Sequence, residues 1–213
     1  DPCPEYLRHI PGEELGTMRK TILDKIKEFM FNPSHAFRGV KDEGLGETIL
    51  YLVILAFFYA IMATVMTTLQ VFPHPFSSSF TGHGIPALDP VRAITDILSI
   101  VIATILIMAI YGIWLHLWVF LVGGRKGIWQ TGKSVCYSAT PSLLLAWIPV
   151  IGTLVGLVWT VIINVIGIKE LHGLSDNRAA LAVVLAVVVA VILAAIAVGA
   201  LVLAVLSSLP MTG

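Results

Sequence analysis

Four stretches of this 213-residue sequence contain no charged side chain: residues 49–69, 97–122, 134–168 and 179–206, with lengths of 21, 26, 35 and 28. An α-helix needs about 20 apolar residues to cross a ~30 Å hydrocarbon core, where the backbone must satisfy its own hydrogen bonds. The stretches therefore predict membrane spans. The 35-residue stretch is too long for one span, and Ile148-Pro149-Val150-Ile151-Gly152 interrupts it near the middle. We read it as two short spans joined by a tight turn, which makes five.

The cations orient these spans. Residues 1–47 carry Arg8, Arg19, Lys20, Lys25, Lys27, Arg38 and Lys41; residues 123–133 carry Arg125, Lys126 and Lys133; Lys169 and Arg178 follow the fourth span. Only Arg92 lies elsewhere, so twelve of thirteen fall on one side of a five-span chain. The positive-inside rule makes that side cytoplasmic, with the N-terminus inside and the C-terminus outside. The expected fold is thus an all-α integral membrane protein of five transmembrane helices with an N-terminal interfacial amphipathic helix. Its parts are an irregular head at 1–17, a cytoplasmic helix and linker at 18–47, a transmembrane domain at 48–206 and an external tail at 207–213.

Hydrophobic residues make up 57% and charged residues 12%, with net charge zero. That balance excludes an ordinary soluble domain and gives no case for nucleic-acid binding. Cys3 and Cys136 are expected to stay reduced, since both lie at or near the cytoplasmic side.

Residues 21–31 show helical periodicity, with Ile22, Ile26, Phe29 and Met30 on one face and charge on the other. Such a helix either lies in the membrane interface or packs on the inner end of the bundle. Asn32-Pro33 ends it. The third span is the most polar, with Ser134, Tyr137, Ser138, Thr140 and Ser142. Pro141 removes the donor for the Tyr137 carbonyl, so this span should be buried among helices or lie beside water. Gly152 and Gly156 form a small-xxx-small pair suited to close helix contact, and Ala182, Ala186, Ala190 and Ala194 form a stripe at four-residue spacing.

Catalytic apparatus is sparse. No carboxylate lies near the centre of a span, and no phosphate loop, paired-carboxylate site, metal-ligand motif or nucleophile motif is present, so neither cofactor nor metal is expected. The candidate functional polar residues are His116, Tyr137, Ser138, Asn164, Glu170 and His172. An intramembrane ionisable or amide group marks either a pathway or a bond between helices, and Glu170 with His172 also fits a solvated loop. His74 and His83 are a weak metal pair in the outer loop, and Arg92 with Asp96 reads as a local ion pair.

Several segments together resemble a known family. Phe31-Asn32-Pro33 precedes Ala36-Phe37; Gly123-Gly124-Arg125-Lys126-Gly127 precedes Tyr137-Ser138-Ala139-Thr140-Pro141. Trp159 leads to Gly167-Ile168-Lys169-Glu170-Leu171-His172-Gly173-Leu174-Ser175, then Ala179-Ala180. This order is similar to the prokaryotic Yip domain over roughly residues 28–200. The resemblance implies a five-helix membrane protein. Eukaryotic members act in vesicle trafficking and contact small GTPases. The long polar N-terminal region usual in those members is missing here, so a small-GTPase partner is not expected. The resemblance supplies no catalytic residues.

These readings together predict a non-enzymatic organiser in the prokaryotic cell membrane. It would contact membrane lipids or a protein partner, with a homo-oligomer as a further option. The competing reading is a small-solute or ion transporter or channel built on the proline-broken third span.

Overall fold

A computed structural model describes residues 21–68 and 90–208. Expectations about residues 1–17, the tail from residue 209, Cys3, and His74 with His83 lie outside the described residues. Among the described residues the chain forms eight α-helices: α1 (Ile22–Phe31), α2 (Pro33–Gly39), α3 (Leu45–Thr68), α4 (Pro90–Leu121), α5 (Ile128–Ser138), α6 (Thr140–Leu145), α7 (Ile151–His172) and α8 (Asp176–Ser208).

Four of them, α3, α4, α7 and residues Asp176–Leu203 of α8, are long and apolar enough to cross a membrane. The expected third span is instead divided into α5 and α6, of 11 and 6 residues, which meet at Ala139. The cause is Pro141. Without an N–H it cannot bond the Tyr137 carbonyl, and the helical ladder lapses there. Thr140 Oγ1 donates to that carbonyl at 2.6 Å, supplying the partner the proline withholds. Bonds from Ala139 N to Val135 O (3.1 Å) and Leu143 N to Ala139 O (2.9 Å) keep the chain on a helical path through the break.

The turn from α6 into α7 is tight. Val150 has φ 61° and ψ −71°, with Ile151 N bonding Pro149 O at 2.7 Å, a γ-turn of a kind unusual for a β-branched residue. The α7 glycines let α6 fold back closely. A Cβ at Gly156 would lie 3.0 Å from Ser142 Cα, and one at Gly152 would lie 2.1 Å from the Leu145 carbonyl oxygen.

One core cluster joins Phe29, Phe37, Tyr51, Leu55, Tyr137, Ile163 and Leu171. A second joins Leu115, Val119, Val135 and Ile168 to Ala179, Ala182, Val183 and Ala186 of α8. The alanine stripe therefore seats neighbours along its first half only: Ala182 and Ala186 are buried, whereas Ala194 is exposed. Residues 191–203 of α8 are exposed on every side of the helix. Trp114 Nε1 donates to the Ala186 carbonyl at 2.9 Å and ties α4 to α8.

The first helix packs on the bundle. Phe29 is buried, Ile26 is packed against the same cluster, and Leu23 and Phe31 remain exposed. Asn32 then ends α1, and Pro33, whose fixed φ suits the first helical position, starts α2.

Candidate functional site

Three hydrogen-bonded clusters are built around α5. Gln130, Thr131, Ser134, Tyr137 and Ser138 recur at the three- and four-residue spacing that places them along one side of a helix. Four of these, all but Gln130, are buried against neighbouring helices.

The first cluster centres on Tyr137. Its hydroxyl donates to Glu43 Oε2 at 2.5 Å, and Lys25 Nζ bonds Glu43 Oε1 at 2.6 Å. Phe29 stacks on the Tyr137 ring at 4.5 Å with planes 9° apart, and Phe37 meets Phe29 edge-on at 5.0 Å. Thr48 Oγ1 lies 3.5 Å from the Tyr137 hydroxyl. Tyr51 completes the group at 2.9 Å from Thr140 Oγ1. The single Thr140 proton goes to the Tyr137 carbonyl, so Tyr51 is the donor in that pair.

Lys133 lies beside this cluster. It is only 5% exposed, and its ammonium donates to the carbonyls of Lys41 at 2.8 Å and Val40 at 3.5 Å. A buried cation is costly unless it is hydrogen-bonded. Here the carbonyls after α2 do this, and α2 is held to α5.

The second cluster joins three helices through Asn164 on α7. Ser134 Oγ on α5 donates to Asn164 Oδ1 at 2.9 Å, and Asn164 Nδ2 donates to the Tyr111 hydroxyl on α4 at 3.1 Å. The third joins the same helices through Thr131, whose Oγ1 lies 2.8 Å from His116 Nδ1 and 3.0 Å from His172 Nε2. Thr131 has one proton to give, so the two imidazoles cannot both be acceptors and one must present an N–H. Among the described residues, the buried His172 Nδ1 has no hydrogen-bond partner.

The six residues singled out in the sequence are thus distributed unevenly. His116 and His172 come together through Thr131, while Tyr137 and Asn164 anchor separate clusters. Ser138 joins none of them; its hydroxyl bonds Val135 O within its own helix at 3.1 Å. Glu170 lies 3.6 Å from Arg38 of α2, so it holds the N-terminal segment as well as facing solvent. Glu43, Thr131, Lys133 and Tyr111 escaped notice. The polar stripe of α5 extends back to Gln130, and that period was the available signal for Thr131. Lys133 and the bond of Glu43 to Tyr137 had none, because the partners are about 90 residues distant in sequence.

Every bond in these clusters ties a helix to another helix or to the linker after α2, or caps a backbone carbonyl. Among the described residues, no three His, Cys, Asp or Glu side chains converge as a metal-ligand set.

No curated protein and no solved structure matches the chain. The sequence pattern of the Yip1 domain matches residues 27–208, which takes in the second half of α1 and all of α2 to α8. The chain belongs to the Yip1-domain family.

Proposed function

We propose that this protein is a five-span, non-enzymatic organiser of the prokaryotic cell membrane, acting through lipid or protein contacts. In this reading α5 and α6 cross the membrane together. With Ala139 between them they make 18 residues, which at about 1.5 Å each span ~27 Å, close to the thickness of the hydrocarbon core. The N-terminus is cytoplasmic and the C-terminus outside. Helix α1 rests at the inner interface, with Leu23 and Phe31 free to meet lipid while Phe29 anchors it.

The observation that carries this reading is the direction of the polar groups in the broken span. Ser134 bonds Asn164, Tyr137 bonds Glu43, Thr140 bonds Tyr51, and Ser142 Oγ bonds Thr160 at 2.7 Å. A solute route would present those groups to water. Here they are spent on holding helices together. Liposomes containing the purified chain should therefore release ions and small solutes no faster than protein-free liposomes. A cysteine placed at Ser138 in a Cys136→Ala background should resist water-soluble thiol reagents. Fast labelling that a solute prevents, together with flux, would establish a transporter instead.

A further inference from the structure

Two glycine turns meet at the cluster end of the bundle. One joins α4 to α5 through Gly123, Gly124 and Gly127; the other joins α7 to α8 through Gly173. Gly123 and Gly173 have φ of 102° and 69°, a conformation side chains disfavour. Each bare turn is overlaid by a cation from the opposite one. A Cβ on Gly173 would lie 3.7 Å from Lys126 Nζ, and a Cβ on Gly123 would lie 3.7 Å from Arg178 Nη1. Beside them the Arg125 guanidinium rests 4.0 Å from the centre of the Phe120 ring. Lys126 and Arg178 thus cross between the two turns, Arg125 is next to Lys126 in the chain, and all three are exposed.

None of the three has a carboxylate partner among the described residues. Two acidic groups beside the second turn are engaged elsewhere: Asp176 with Lys169 at 2.6 Å and Glu170 with Arg38. The positive charge is therefore uncompensated, and the turn backbone is open to an anion at Gly127, where a Cβ would meet nothing within 4 Å. Apolar side chains border the site. Phe120, Leu121, Ile128 and Trp129 are all exposed, with Trp129 at 63% and Leu121 at 66%. An aromatic and aliphatic rim next to cations matches the boundary between headgroups and acyl chains.

We propose that Arg125, Lys126 and Arg178 form a binding site for a phosphate group, supplied by an anionic phospholipid headgroup whose acyl chains lie along the Leu121 and Trp129 rim. The site deepens the lipid-contact reading above and rests on it. The two fail separately, because solute flux would overturn the organiser without altering phosphate binding.

The test uses the full chain purified in a neutral detergent. Its melting temperature is followed while short-chain phosphatidylglycerol, short-chain phosphatidylcholine or inorganic phosphate is added. Phosphatidylglycerol should raise the melting temperature saturably, and phosphatidylcholine should not. Lys126→Gln and Arg178→Gln should each weaken the apparent affinity about fivefold, the usual worth of one basic residue at an anionic surface. Lys27→Gln, an exposed cation on α1, should leave it unchanged. Lys126→Arg and Arg178→Lys should keep the response, which separates loss of charge from damage to the turns. A response to inorganic phosphate without one to phosphatidylglycerol would keep the phosphate site and overturn the lipid source. An equal response to phosphatidylcholine, or undiminished affinity in both glutamine variants, would overturn the site.

Discussion

Gly167 shows how little room some positions leave. A Cβ there would come 2.4 Å from Ser134 Oγ and 2.7 Å from Phe37 Cζ, so this point of α7 touches both α5 and α2. Gly167→Ala must displace either the Ser134–Asn164 bond or the Phe37 ring. We expect a loss of about 1–3 kcal/mol, the usual range for overpacking a filled core, read by chemical unfolding in mixed micelles. An unchanged midpoint would mean the helices are not this close. Gly156 could be recognised as a contact glycine from its spacing to Gly152. Gly167 could not, because no small residue four positions away pairs with it; its constraint comes from side chains on two other helices. The same limit applied to His116. The sequence placed an ionisable group in a span, but Thr131 and His172 became its partners only through folding.

At the scale of elements, the α5–α6 break is the informative case. Pro141 in a polar run foretold an orphan carbonyl at Tyr137, and the orphan is there. Thr140 bonds it while receiving the Tyr51 hydroxyl. Thr140→Val keeps the shape but strands both groups in the interior. The expected cost is about 1–3 kcal/mol, the range for a buried polar group left unpaired. Pro141→Ala restores an N–H at position 141 and should return part of that loss, because the Tyr137 carbonyl regains its helical donor. A double-mutant cycle measures this directly. Strict additivity of the two changes would show that Thr140 does not substitute for the missing proline donor. For α1, periodicity identified the face containing Phe29. It left open whether that face met lipid or protein, since both environments accept an apolar stripe. Tyr137, stacked on Phe29, settled that contact.

For the whole molecule, the distribution of charge and apolar surface makes the strongest expectations. Val191, Ile192, Leu193, Ile196, Val198, Leu201 and Leu203 of α8 are each half-exposed or more, as a helix surrounded by hydrocarbon would be. Arg125, Lys126, Lys169 and Arg178 lie at the opposite end of the same bundle. A single cysteine at Asp176, in a Cys3→Ala, Cys136→Ala background, should be protected from an impermeant thiol reagent added outside intact cells and become reactive once the membrane is opened. A cysteine at Ser78 should react from outside at once. External labelling at position 176 would overturn the proposed five-span arrangement, and with it the proposed cytoplasmic placement of the phosphate site.

Local rules were sufficient wherever one segment carried all the information. Length and hydropathy marked α3, α4, α7 and α8 as span-length helices, proline chemistry located the defect in α5–α6, and glycine spacing marked Gly156 as a close-contact position without naming its partner. Charge at the turns was equally visible, but not its geometry. Only the packed structure brought Glu43 to Tyr137, Lys133 to the end of α2, and Lys126 and Arg178 onto each other's glycine turns. These pairings depend on which helices become neighbours. A single chain's hydrophobic pattern leaves that choice open, because lipid and protein satisfy an apolar face equally well; the polar bonds, which lipid cannot supply, make it.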